Sequence, residues 1–106
     1  MSRRTELDTK LREVLKRTVG QVNIYYQPAD GAQITYPCII YEKGQGDHMY
    51  ASNKTHHFTQ AYQIKFITKK PDNNVVDELI NEFQMIHFER HYVMQNIHHD
   101  VLILYY

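Results

Sequence analysis

Two short runs in this chain are apolar at every position: Cys-Ile-Ile-Tyr at residues 38 to 41 and Val-Leu-Ile-Leu-Tyr-Tyr at residues 101 to 106. Both have strand length and are rich in β-branched or aromatic residues. Successive side chains of a strand leave on opposite faces, so a strand apolar throughout asks for cover on both sides. The fold therefore has to bury, or hand to a neighbour, both faces of at least part of a sheet.

The other periodic segments limit what the chain can use as cover. Leu7, Leu11, Val14 and Leu15 recur at helical spacing between Thr5 and Thr18, and Gly20 supplies a C-terminal stop. Val22, Ile24 and Tyr26 alternate with Asn23 and Tyr25 in a short strand that Pro28 ends. Asp30 and Gly31 mark a turn. Phe58, Gln60, Tyr62, Ile64 and Phe66 alternate with Thr59, Ala61, Gln63, Lys65 and Ile67, which predicts a long strand with one mainly apolar face. Pro71 and Asp72 open a second helix, with Val76, Leu79, Ile80 and Phe83 as its apolar stripe. Ile86, Phe88, Arg90 and Tyr92 alternate again, and Met94 to Asn96 turn the chain into its terminal strand. Residues 44 to 57 combine two glycines with polar residues and lack a period, as expected of a long connection or flexible arm.

The element order is thus α-β-β-β-α-β-β. It predicts one α+β domain over residues 1 to 106, a four- to five-stranded mixed or antiparallel sheet with two helices on one face. Helices are about 10 Å wide and strands about 4.8 Å apart, so two helices roof one face of such a sheet and leave the other open. The second face is expected to be half apolar, with Asn23, Gln63, Lys65, His87 and Glu89 beside the apolar positions of the two continuous runs. Either the 44 to 57 arm folds over it and gives a monomer, or another subunit covers it. Nine tyrosines without a tryptophan suit the second choice, because Tyr is a rigid amphipathic interface residue.

Charge argues against nucleic acid as the main partner. Twelve Lys plus Arg balance twelve Asp plus Glu, so no overall positive field draws phosphate. Locally, residues 1 to 20 hold six basic side chains against Glu6, Asp8 and Glu13, which fits a solvated helix face with Lys16 and Arg17 at its C-terminal end. The single cysteine excludes an internal disulfide and fits a reducing compartment such as the cytoplasm. No segment has the length and apolarity of a secretory leader core or a membrane span.

No catalytic, cofactor or metal site is expected. Cys38 sits in the most apolar strand, where a thiol is packing, and Ser2 and Ser52 fall in flexible segments. The carboxylates are scattered, with Glu78 and Glu82 forming a simple i, i+4 pair. Gly44 and Gly46 belong to no phosphate-binding fingerprint. Seven histidines invite a metal, but His87 and His91 would stand about 13 Å apart along a strand, and His98 and His99 point to opposite faces. A histidine-based metal-dependent enzyme is the distant alternative.

Several strings, in this order, resemble the tail terminator, or tail-to-head joining, proteins of long-tailed bacteriophages: TELDTKLREVL, IYYQP, YPCIIYE, Asn53-Lys54, YQIKFITKKPD and FERHYVMQNIHHDVLILYY. The resemblance covers most of the chain. Its most distinctive part is the closing segment with Arg90, Tyr92, Asn96 and His98 or His99 ahead of an apolar strand. It implies a structural virion protein that forms a homo-oligomer, typically a hexameric ring. Such a ring caps the tail tube, stops its polymerisation and meets the head connector or stopper protein. DNA would pass through the lumen without being read. The implied location is the virion tail, and the host cytoplasm during assembly. A stopper or completion protein is the close alternative. The histidine-rich ASNKTHH string departs from the family pattern.

On this reading the 44 to 57 arm and the open face bury area between neighbouring subunits, with Asp47, Met49, Tyr50, Asn53 and Lys54 of the arm as candidate partner contacts, while the first helix or loop tips engage the major tail tube protein and the connector. Arg90 and Tyr92 would hold the closing hairpin, Arg90 by packing of its stem and Tyr92 by a hydrogen bond from its hydroxyl.

Overall fold

A computed structural model of the chain describes residues 3 to 44, 60 to 70 and 73 to 106. In chain order the elements are α1 (Arg3–Thr18), β1 (Ile24–Tyr26), β2 (Cys38–Lys43), β3 (Ala61–Thr68), α2 (Val75–Glu82), β4 (Ile86–Met94) and β5 (Ile97–Tyr105). This is the α-β-β-β-α-β-β order expected from periodicity. The five strands make one mixed sheet in the spatial order β1-β2-β3-β5-β4, with β1 parallel to β2 and every other pair antiparallel.

Helix α1 buries Leu7, Leu11, Val14 and Leu15 completely. Its end is closed by the amides of Val19 and Gly20, which both donate to the Leu15 carbonyl, and Gly20 supplies the left-handed φ of 82° that this closure needs. Helix α2 starts where the Asn73 side chain accepts the Val75 amide at 3.0 Å. Its inward line is Val75, Leu79 and Phe83. Of the stripe expected from spacing, Leu79 and Phe83 are buried and Val76 packs partly buried against the core, while Ile80 is 39% exposed and Val75 is buried in its place. An eight-residue helix needs only one i, i+4 row to dock, and the row starting at Val75 takes that place.

Both helices pack on the same side of the sheet. There Leu7, Leu11, Val14 and Leu15 of α1 and Val75 and Leu79 of α2 join Ile39 and Tyr41, Tyr62, Ile64 and Phe66, and Leu102 and Leu104 in one core. Arg17 ties the helices together, donating to Glu78 and to Glu82 at 3.1 Å each, so the two carboxylates of the i, i+4 pair share one guanidinium. Tyr41 ties α1 to the sheet: its hydroxyl donates to Asp8 Oδ2 at 2.7 Å and accepts from Arg4 at 3.0 Å.

Among the described residues no helix is long and apolar enough to cross a membrane.

Candidate interaction surface

Cross-strand register assigns the side chains of the face opposite the helices. One row runs Cys38, Ile67, His99 and Tyr92, the next Ile40, Lys65, Val101 and Arg90, and the third Glu42, Gln63, Ile103 and His87. Cys38, Ile67 and Val101 lie in the three central strands and are buried. Ile40, Gln63, Lys65, Ile103 and Tyr105 are half-buried, and Glu42, His87 and Arg90 are exposed. Among the described residues, this face forms a depression of about 500 Å³ toward the β2 and β5 ends, lined among others by Glu42, Gln63, His87, Ile103 and Tyr105. At the β1 edge the Tyr25 hydroxyl accepts the Thr35 amide at 3.1 Å, which brings the connection between β1 and β2 to this side. No described helix lies on it.

Strand β4 is the outer edge of the sheet, bonded only to β5. A register shift between Phe88 and Arg90 leaves Glu89 as the extra residue of a bulge. Ile86 and Phe88 therefore share the helix side with Leu104 and Leu102, whereas Arg90 and Tyr92 lie on the opposite side with Val101 and His99. The alternation Ile86, Phe88, Arg90, Tyr92 does not mark a single face. His87 and His91 are likewise sent to opposite faces, a stronger separation than the spacing along a regular strand. Phe88, Val93 and Met94 are all more than two-fifths exposed on this edge.

The hairpin between β4 and β5 turns through two residues, Gln95 and Asn96, with φ of 52° and 64°. Positive φ at both central positions is the tight turn whose twist matches paired strands. Close to the turn each face of the hairpin carries its own ring cluster. On one face Tyr92 stacks on His99, ring centres 4.5 Å apart and planes 8° from parallel, with the Arg90 guanidinium 5.5 Å over the Tyr92 ring. Tyr92 thus engages through its ring, where a hydroxyl hydrogen bond was expected. His99 is fixed further as its Nδ1–H donates to the Ile97 carbonyl at 3.1 Å. On the other face His91 Nδ1–H donates to Asp100 Oδ1 at 2.6 Å, and His91 Nε2 lies 3.4 Å from His98 Nδ1.

Sequence reasoning missed this second cluster. Its signal is the turn: with Gln95 and Asn96 as loop, His91 faces Asp100 directly and His98 diagonally. The arm candidates Asp47, Met49, Tyr50, Asn53 and Lys54 lie outside the described residues. Among the described residues no group of three or more His, Cys, Asp or Glu is arranged to hold a metal ion. Burial pushes the Cys38 thiol up to about 12, so near neutral pH it is a protonated packing group and no nucleophile.

Compared with models of known families, with curated proteins and with solved structures, the chain matches none.

Proposed function

We propose that this chain is an assembly subunit that works by packing against other protein subunits, and that it acts as a tail terminator of a long-tailed phage. The observation carrying the first part is the one-sided placement of the helices. The opposite face keeps Ile40, Ile103 and Tyr105 half-buried around the depression, and the neighbouring edge strand exposes Phe88, Val93 and Met94. Apolar surface so arranged, with a polar surround of Glu42, Gln63, Lys65 and His87, suits burial between subunits. The second part rests on the resemblance of the strings quoted above, above all the closing hairpin.

In this mechanism recognition is the whole of the chemistry. Copies of the chain bury the open face and the β4 edge against one another in a ring, and α1 or loop tips engage the tube. Addition of tube subunits stops because the capping ring covers the surface on which the next layer would form. The test is mass measurement and electron imaging of the chain, alone and with polymerised tail tube protein. A six-membered ring at tube ends, with tube growth halted, supports the reading. A chain that stays monomeric and leaves tube growth unchanged overturns it, and a ring that binds isolated portal assemblies but not tubes favours a stopper.

A further inference from the structure

We propose that His91 and His98 form a two-imidazole site for a divalent transition-metal ion, of which zinc is the natural probe, on the helix-side face of the β4–β5 hairpin. The site does not depend on the assembly reading. In β4 and β5 the two histidines are diagonal neighbours across the pair, since His98 is opposite Val93 and His91 opposite Asp100. Sequence spacing considers ligands along one strand, whereas the hairpin assembles them across two.

The distances fit a shared ion. Two zinc–nitrogen bonds of about 2.05 Å meeting at the tetrahedral angle put the nitrogens about 3.3 Å apart and the imidazole centres about 5.2 Å apart. Here His91 Nε2 and His98 Nδ1 are 3.4 Å apart and the ring centres 5.4 Å. As a hydrogen bond between the two rings the contact is long, so an ion that replaces it displaces only a weak interaction. The ring centres are farther apart than the nitrogens, so the two nitrogens are turned toward each other, as ligands of one ion must be.

The proton arrangement is also right. Because Asp100 accepts from His91 Nδ1–H at 2.6 Å, the neutral His91 ring presents its lone pair at Nε2, on the side of His98. A carboxylate behind a ligating imidazole fixes the tautomer and raises the basicity of the free nitrogen, the usual outer support of protein zinc ligands. Asp100 is well placed for it, with its side chain 15% exposed, while the 42% exposure of His91 leaves room for water on the remaining coordination positions. A metal bound there clips the edge strand β4 to β5 beside the two-residue turn.

The test is titration of the tag-free full chain with Zn²⁺ at neutral pH, followed by calorimetry and by the imidazole proton resonances. The expected result is one equivalent bound, with the His91 and His98 resonances moving and that of His87 still. His91→Ala and His98→Ala should each weaken binding at least about tenfold, and Asp100→Asn about tenfold. A variant with His48, His56 and His57 all changed to Ala should bind as the parent does. The proposal is overturned by no uptake at millimolar zinc, by resonance shifts confined to other histidines, or by unchanged affinity in either single-histidine variant. Because the resonance readout uses the unaltered chain, it decides the matter even if a variant folds poorly.

Discussion

Tyr92 and His99 face each other across β4 and β5 as a near-parallel stack, with ring centres 4.5 Å apart and planes 8° from parallel. The pair closes the hairpin on the face away from the helices, while Asp100, His91 and His98 join on the helix side. Strand β5 is held on its other side by β3 as far as His98, whereas β4 is an edge strand, so ring pairs on both faces help to hold β4 in register on β5.

That arrangement separates the ring of Tyr92 from its hydroxyl. Tyr92→Phe keeps the stack and the contact with Arg90, so its stability should stay within about 0.5 kcal/mol of the parent. Tyr92→Ala removes the stack and should cost about 1 kcal/mol. Urea unfolding of the three proteins checks both values, and a Phe variant as weak as the Ala variant would show that the hydroxyl is the important group after all.

The turn offers a gain of stability. Gln95 holds a φ of 52° and Asn96 one of 64°, a region that disfavours most side chains and tolerates Asn and Gly. Gln95→Asn combined with Asn96→Gly should therefore raise stability by about 1 kcal/mol. The gain should appear as a higher urea midpoint with unchanged slope, because the folded contacts stay the same.

Buried groups that hold their protons, among them Cys38, Tyr41 and Tyr62, weaken the fold in alkali. Burial pushes the Cys38 thiol from 9.0 up to about 12, and burial together with the hydrogen bond to Asp8 pushes the Tyr41 hydroxyl above its ordinary 10.0. Above pH 9 the unfolded chain releases a thiol proton that the folded chain keeps, so stability falls as pH rises toward 12. Above pH 10 Tyr41 adds to the fall in the same sense. The slope contributed by each proton approaches about 1.4 kcal/mol per pH unit. Cys38→Ala should flatten the decline most between pH 9 and pH 10, where the thiol of the unfolded chain ionises ahead of Tyr41, as measured by urea unfolding at stepped pH.

Much of this fold was legible because its signals are local. Leu7, Leu11, Val14 and Leu15 are spaced for one helix face and all four are buried, and the Gln95–Asn96 turn lies within the expected Met94 to Asn96 segment. What escaped reading depends on register. The bulge at Glu89 has no residue signature, yet it moves Arg90 and Tyr92 to the face opposite Phe88. The short helix α2 could dock by either of two adjacent rows, and only contact with the sheet selects Val75 over Ile80. The His91, His98 and Asp100 cluster exists only once β4 and β5 are aligned.

The open face itself can be tested by placing a charge on it. Ile103 is half-buried in the depression on the side away from the helices, while Ile80 of α2 is 39% exposed on the helix side. Each can accept an aspartate without opening a core cavity, so Ile103→Asp and Ile80→Asp should both leave a folded chain with cooperative unfolding. Burying an unpaired carboxylate between subunits is costly, whereas the same group facing water is not. Ile103→Asp should therefore abolish self-association and capping of tail tubes, and Ile80→Asp should preserve ring formation. Analytical ultracentrifugation and imaging of tube ends read the difference. Equal assembly by the two variants would remove the open face from the interface and leave the β4 edge, with Phe88, Val93 and Met94, as the surface to alter next.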